Sequence, residues 1–276
     1  MASPNRDSGS IVSFETIMRA TEIMRAYFDP RFFGLDNIKA DRPTLMVGNH
    51  PLFAIDYPLM AAEIHQKKGI KLHPLGDHWH DKVPIWRGFI KEIGAVDGTP
   101  ENCSRLMEAG EHLVVFPGGA REALKRKGEA HKLIWKHRYG FARMAIKHGY
   151  PITPFASKGA DIIFSILIDG EDVMNSRLGN FLKATGLSKI LREGEFIPPF
   201  VRGIGPSLLP RPERFYFSFG EPIDTKRFQG RYQDLECLAA LRTEVEDALN
   251  TQMGILLHLL SQDRDYGFWR RLLTRL

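Results

Sequence analysis

Apolar positions along this chain change their spacing several times, and the changes mark its elements. Phe14, Ile17, Met18, Thr21, Met24, Tyr27 and Phe28 recur at helical spacing, with Arg19, Glu22 and Arg25 on other faces. Asp29-Pro30 closes that helix. Short apolar runs then alternate with helix-length segments. Thr44–Val47, Ile70–Leu75, Ala95–Asp97, Leu113–Phe116 and Pro151–Ala156 read as strands. Tyr57–Gln66, Ile85–Ile93, Glu101–Ala109 and Lys132–Lys147 read as the helices between them. The stretch from Asp161 to Leu191 is mixed, helical in parts, with Gly179 and Gly186 as breaks. Pro198, Pro199, Pro206, Pro210 and Pro212 mark an irregular connection after it. Phe215–Phe219 alternates aromatic and polar residues as a late strand, and a long helix runs from about Asp234 toward Leu260. The tail from Phe268 to Leu276 is basic and amphipathic.

Strands alternating with helices predict an α/β fold: a mostly parallel central sheet flanked by helices, with N-terminal and C-terminal helices besides. Sheets of that kind commonly bind ligands beyond the carboxyl ends of their strands. Two loops in this sequence fall there. Asn49-His50-Pro51-Leu52-Phe53-Ala54-Ile55-Asp56 follows the first predicted strand, and Phe116-Pro117-Gly118-Gly119-Ala120-Arg121-Glu122 follows another.

The first loop pairs a histidine with a carboxylate. A neutral imidazole can take the proton of a weakly nucleophilic hydroxyl, and a carboxylate can fix its tautomer and stabilise the imidazolium. His50 is thus the candidate base and Asp56 its partner. Asp56-Tyr57-Pro58 is also a good helix start, with Asp as N-cap and Pro in the first turn. Both readings can hold at once. In the second loop, Gly118 and Gly119 allow tight turns and exposed backbone N–H groups suited to an anion or developing oxyanion, and Arg121 adds a planar fork of donors. A plain strand-to-loop turn fits the two glycines equally well. No phosphate-binding GxxxxGK[ST], no Gly-x-Gly-x-x-Gly and no Gly-x-Ser-x-Gly elbow occurs, which disfavours nucleotide hydrolysis and ordinary serine esterases.

Composition narrows the setting. The 276 residues, 43% apolar and 26% charged, suffice for a substantial core. Cys103 and Cys237 lie far apart with no framework spacing, which fits a reducing compartment. Met1 to Ser10 is polar, without the apolar centre of a signal peptide, and no apolar run approaches the roughly 20 residues of a membrane span. The expectation is a cytoplasmic protein, soluble or peripheral to a membrane. A net charge of +5 favours an anionic partner without choosing among nucleic acid, lipid headgroups and phosphate-bearing cosubstrates.

In order and content these loops resemble the glycerolipid (lysophospholipid) acyltransferase superfamily. Asn49-His50 through Asp56 looks like its first motif, Phe116 to Arg121 like its third, and Pro151-Ile152-Thr153-Pro154 like its fourth. Phe219-Gly220-Glu221-Pro222-Ile223 is similar to the closing element of many members, so the likeness runs from about Phe33 to Ile223. Two departures stand out. Five residues separate His50 from Asp56 where the family usually has four, and the extra one would rotate Asp56 by roughly 100° if it lay inside a helix. It must therefore be absorbed in the turn before Tyr57. The usual Pro-Glu-Gly-Thr-Arg reads Pro117-Gly118-Gly119-Ala120-Arg121 here, with Glu122 following.

Both departures are similar to the monoacylglycerol and diacylglycerol acyltransferase-like branch, which also carries Gly-Gly-x-Arg-Glu-Ala-Leu (here Gly118 to Leu124). The resemblance implies a glycerol-3-phosphate acyltransferase-like fold, His50 as base with Asp56, and substrate binding by Gly118, Gly119, Arg121 and Glu122. It implies acyl-CoA as co-substrate, a neutral acceptor (mono- or diacylglycerol or a long-chain alcohol), and no metal or redox cofactor. The arginine of the family's second motif has no clear counterpart around Gly94–Gly98, which weighs against a phosphorylated acceptor. A lysophospholipid acyltransferase is the alternative, and a non-catalytic lipid-binding protein or a hydrolase on the same fold are rivals. The implied organisation is a disordered 1–12, one acyltransferase domain over 13–261, and a basic tail over 262–276.

Three further features carry two readings each. Asp77-His78-Trp79-His80-Asp81 with His73 could suggest a metal, but its spacing puts no His pair at i,i+4, and a surface connection is expected. Lys125-Arg126-Lys127 with Lys132, Lys136 and Arg138 is either a solvated face or a dock for coenzyme A phosphates or anionic lipid. Nucleic acid is not expected, because no reader motif surrounds these cations. The N-terminal helix and the tail are both candidates for a membrane interface.

Overall fold

The computed structural model describes residues 14–76, 95–192, 194–263 and 267–275. The expected helix Ile85–Ile93 and the segment Asp77–Asp81 lie outside the described residues. At the centre is a seven-stranded sheet in the order β1 (Arg31–Phe33), β9 (Tyr216–Phe219), β6 (Ile152–Lys158), β2 (Leu45–Gly48), β5 (His112–Val115), β3 (Leu72–Gly76) and β4 (Val96–Asp97). Every neighbouring pair is parallel except β6–β9. The mostly parallel α/β core therefore stands as the hydrophobic pattern implied.

Helices cover both faces, which explains why β2 reads as an unbroken apolar run. Met46, Phe155 and Phe217 point to the side of α1 (Phe14–Phe28) and α2 (Tyr57–Lys68). Leu45, Val47, Ile152 and Ala156 pack with α3 (Pro100–Glu108), α5 (Gly140–His148) and α9 (Leu235–Gln262). The long α9 starts where Asp234 accepts from the N–H groups of Glu236 and Cys237, and it buries Leu238, Leu241, Val245, Leu249 and Leu256. The short α4 (Gly119–Ala123) follows β5 directly.

Between β6 and β9 the chain leaves the sheet. This excursion holds α6 (Gly170–Met174), α7 (Arg177–Ala184), α8 (Leu187–Ile190), and an antiparallel pair, β7 (Ser165–Ile168) with β8 (Phe200–Arg202). The tail forms α10 (Phe268–Arg275). Among the described residues, no helix is long and apolar enough to cross a membrane.

Some expected boundaries move. The helix read over Lys132–Lys147 shrinks to α5, because His131 (φ 64) and Lys136 (φ 50) take left-handed backbone and Trp135 turns in against Phe141, ring centroids 5.8 Å apart. Gly179 does not break a helix; it lies inside α7, where a Cβ would sit 2.2 Å from the Met174 carbonyl. Gly186, at φ 75, is the break between α7 and α8. Strand β1 and the β7–β8 pair carry no pattern long enough to have been read from sequence.

Candidate active site

Strands β2, β5 and β6 run parallel, so their carboxyl ends meet at one edge and bring His50, Phe116 and Ser157 together. Gly48 ends β2 under the Phe155 ring, where a Cβ would approach ring carbon to 2.3 Å. The next residue, Asn49, is buried and exchanges two hydrogen bonds with the Ser157 backbone: its Nδ2 donates to the carbonyl (2.9 Å) and its Oδ1 accepts from the N–H (2.8 Å). This clamp joins the ends of β2 and β6 and aims the following residue off the sheet.

That residue is His50, half-buried, with its ring 4.6 Å from the Phe116 ring. Its Nδ1 faces the Pro51 carbonyl at 3.0 Å. A carbonyl only accepts, so in the neutral ring Nδ1 carries the proton and Nε2 is the basic nitrogen. The His50 N–H donates to Glu122 Oε1 at 3.2 Å. Two residues on, the Leu52 N–H donates to Asp161 Oδ1 at 2.8 Å. Phe53 (φ 59) and Ala54 (φ 52) then take left-handed backbone, rare for side chains of this kind. Here the residue added between His50 and Asp56 is absorbed, ahead of α2.

Asp56 is buried, and Ser157 Oγ donates to its carboxylate. Burial raises its pKa to about 6, with the Ser157 bond pulling the other way. Asp56 occupies the N-cap position of α2 but makes no side-chain capping bond, so the helix-start role expected for its carboxylate is not fulfilled. His50 and Asp56 thus share one loop, with Pro51 and Ser157 as their respective close partners.

The second loop is built by close approach. A Cβ on Gly118 would fall 1.8 Å from Glu122 Oε2, so the Glu122 carboxylate fills the space a side chain at 118 would need. Gly119 has φ 51, and its N–H closes a turn onto the Phe116 carbonyl at 2.9 Å. Of the two expected oxyanion donors, Gly119 is therefore already engaged. Gly118 N–H has no backbone partner among the described residues. Arg121 forks onto Glu129, with Nη1 to Oε2 at 2.8 Å and a second bond from Nη2. In this structure the guanidinium ties α4 to the following loop rather than facing an open anion site. Glu122 is fully buried, and burial raises its pKa to about 7 while Lys125 opposes the shift.

Both loops also meet a buried group centred on Asp161, a residue whose role the sequence did not single out. Asp161 accepts from Lys125 Nζ (2.6 Å) and from the His131 N–H (2.7 Å) as well as from Leu52. Lys125 is 1% exposed, which overturns the solvated-face reading for this member of the basic run. The neighbouring cations are also paired: Arg126 with Glu171, Lys127 with Asp172, and Lys136 with Glu195. These pairs engage Arg126, Lys127 and Lys136, while Arg138 of the same run lines a cleft. Burial lowers the His131 pKa to about 4 and that of Lys158 to about 8. Ser157, Lys158 and Asp161 close and follow β6, and their role was legible only as polar residues directly after a buried strand.

Two clefts adjoin the site. One of about 620 Å³ runs from Phe116, Pro117 and Gly119 between apolar walls that include Leu75, Met107 and Met144, with Arg138, Arg143 and Lys147 at its sides. The other, about 350 Å³, is bounded by Leu52, Lys125, Asp161, Phe164, Ile166 and Arg211. Among the described residues, no group of three His, Cys, Asp or Glu side chains is arranged to hold a metal.

A histidine on a loop at the carboxyl edge of a mostly parallel sheet, with an apolar, cationic-sided cleft nearby, sits where α/β proteins commonly place a ligand site. Residues 29–158 match the Acyltransferase family model, which is consistent with the resemblance to the glycerolipid acyltransferase superfamily. It is 32% identical over 242 residues to phytyl ester synthase 1, chloroplastic, from Arabidopsis thaliana, covering 83% of this chain and 34% of that protein. It is 34% identical over 121 residues to the human DGAT1/2-independent enzyme synthesizing storage lipids, covering 44% of this chain and 37% of that one. The chain thus spans about a third of the length of these curated relatives. The crystal structure of the 1-acyl-sn-glycerophosphate acyltransferase from Thermotoga maritima shares the fold, with a TM-score of 0.53 at 17% identity, covering 87% of this chain and 79% of that one.

Proposed function

We propose that this protein transfers a fatty acyl group from coenzyme A to the hydroxyl of a neutral lipid or long-chain alcohol at a membrane surface. The observation that carries the reading is the placement of His50 against Phe116, a residue that lines the 620 Å³ cleft. Apolar walls suit an acyl chain, and Arg138, Arg143 and Lys147 suit the phosphates of a thioester carrier. The names of the relatives, a phytyl ester synthase and an enzyme synthesizing storage lipids, support a neutral acceptor.

In this reading the acceptor hydroxyl gives its proton to His50 Nε2 as its oxygen attacks the thioester carbonyl carbon. The carbonyl π electrons move to oxygen, and the oxyanion takes a bond from Gly118 N–H. Collapse of that intermediate breaks the carbon–sulfur bond. The departing thiolate recovers the proton from the imidazolium, leaving an ester and free coenzyme A. Asp56 supports the charged imidazole from the same loop. Arg121, held by Glu129, and Glu122, bonded to the His50 N–H, act as positioning residues.

The test is thiol release from long-chain acyl-CoA, with product lipids separated, for wild type beside His50→Ala. Acceptors would be diacylglycerol, a long-chain alcohol and lysophosphatidate. Release that depends on a neutral acceptor and is lost in the variant is the expected result. Preference for lysophosphatidate would move the reading to a lysophospholipid acyltransferase, and release without acceptor to a hydrolase. Folded protein that is inactive with every acceptor would leave a lipid-binding role.

A further inference from the structure

We propose that the excursion between β6 and β9, with α10 beside it, is the face by which this protein docks on an anionic lipid bilayer. Eight of the sixteen exposed large apolar side chains among the described residues lie between Leu167 and Leu209. Helix α7 shows the arrangement most clearly. Leu178 and Phe181, one turn apart, are 57% and 60% exposed, while the face turned inward carries Gly179 pressed on the Met174 carbonyl. A surface helix in water usually turns its large apolar residues toward the core, and this one leaves Leu178 and Phe181 outward with only Leu182 half-buried. On the β7–β8 pair, Ile168 and Phe200 lie opposite each other and are both exposed. Leu208 and Leu209 follow at 67% and 55% exposed.

The charges around these apolar groups select the partner. Arg177, Lys183 and Lys189 are exposed on α7 and α8, and α10 adds Arg270, Arg271 and Arg275 with no acid in its span. Arg270 Nη1 donates to the Pro212 carbonyl at 2.5 Å, which fastens α10 to the end of the excursion. Phe268 and Trp269 on that helix are both 72% exposed. Leu and Phe side chains rimmed by cations match acyl chains beneath anionic headgroups. Large exposed apolar patches are rare on proteins with no such partner.

The face also continues into the chemistry, and this part rests on the acyltransferase reading. The 350 Å³ cleft has Ile166 of β7 and Phe164 on one side and Leu52 of the His50 loop on another. A lipid acceptor lifted from the bilayer at β7 would reach that loop without crossing water.

The experiment is co-flotation of the full chain with vesicles of phosphatidylcholine alone or mixed with phosphatidylglycerol. Wild type should float, more strongly with phosphatidylglycerol and less at high salt. Leu178→Ser/Phe181→Ser should weaken partitioning at least about tenfold, since each side chain forfeits burial comparable to that in a core. Both residues are exposed, so an unchanged thermal melt is expected. The Trp269 emission should shift to the blue on binding wild type, and Trp269→Phe identifies that signal. Thiol release on a water-soluble short-chain alcohol should be unchanged in the α7 variant. Loss of flotation without loss of that release would separate docking from catalysis. Wild type that fails to float, or variants that float as well as wild type, would overturn the proposal. A dimer in sedimentation that Phe181→Ser dissociates would overturn it too, by assigning the face to a second copy of this chain.

Discussion

The two loops that meet at the sheet edge are held in different ways. The Asn49–Asp56 loop hangs on polar bonds from far along the chain: Asn49 to Ser157, His50 to Glu122, Leu52 to Asp161, and Asp56 to Ser157. These bonds over-determine the backbone, which is how Phe53 and Ala54 are kept in left-handed conformations that cost about 1–3 kcal/mol each. The Phe116–Glu122 loop is set by steric fit. Glu122 occupies the space above Gly118, and Arg138 that above Gly119. One loop should therefore respond to charge and pH, the other to volume.

The largest effect expected is on chemistry. Losing the base in His50→Ala should lower kcat about 10³-fold, or about 4 kcal/mol, with the fold intact. A variant retaining a tenth of wild-type turnover would remove His50 from the proposed role. Next, Lys125→Met should cost about 3–5 kcal/mol, because it strands Asp161 as a buried, unpaired charge. Urea unfolding of this variant beside Lys125→Met/Asp161→Leu checks the cause, since the double variant should recover part of the loss.

The carboxylates that hold the polar loop, Glu122 from its neighbour and Asp56 of its own, also predict a pH dependence. Glu122 holds its proton more tightly in the folded chain, with its pKa raised from 4.5 to about 7, and Asp56 is raised to about 6. The stability this confers is complete below the unfolded pKa and is lost as pH rises through the folded one. Wild type should therefore weaken between pH 4.5 and 7. Glu122→Gln should flatten that slope and gain up to about 3 kcal/mol over wild type above pH 7. Parallel curves of urea midpoint against pH for the two proteins would sink this account. The smallest effect belongs to the steric loop. Gly118→Ala should cost about 1–3 kcal/mol by overpacking, and much less in a Glu122→Ala background, where the space is vacant. Equal penalties in both backgrounds would mean that Gly118 is needed for something other than the fit to Glu122.

Much of this molecule was legible in its linear pattern. Buried parallel strands are short apolar runs, so β2, β5, β6 and β9 could be read directly, and with them the loops at their carboxyl ends. The two glycines and the His50–Asp56 spacing marked those loops, and the extra residue between His50 and Asp56 had to fall in the turn where Phe53 and Ala54 now bend the chain. Other features were not legible. Lys125 looked like one cation in a solvated run, and Arg121 like a fork for an anion. Each instead meets a carboxylate whose identity no local pattern specifies: Asp161, delivered from beyond β6, and Glu129, brought back by the turn after α4. Helix α7 has an ordinary amphipathic sequence, and only its docking on the core leaves Leu178 and Phe181 facing water. Spacing along the chain determined which elements form and where the candidate chemistry lies, because backbone geometry repeats over a few residues. Strand order and packing decided which charges are paired, which are buried and which apolar face stays exposed, because those contacts join residues that only the finished fold brings together.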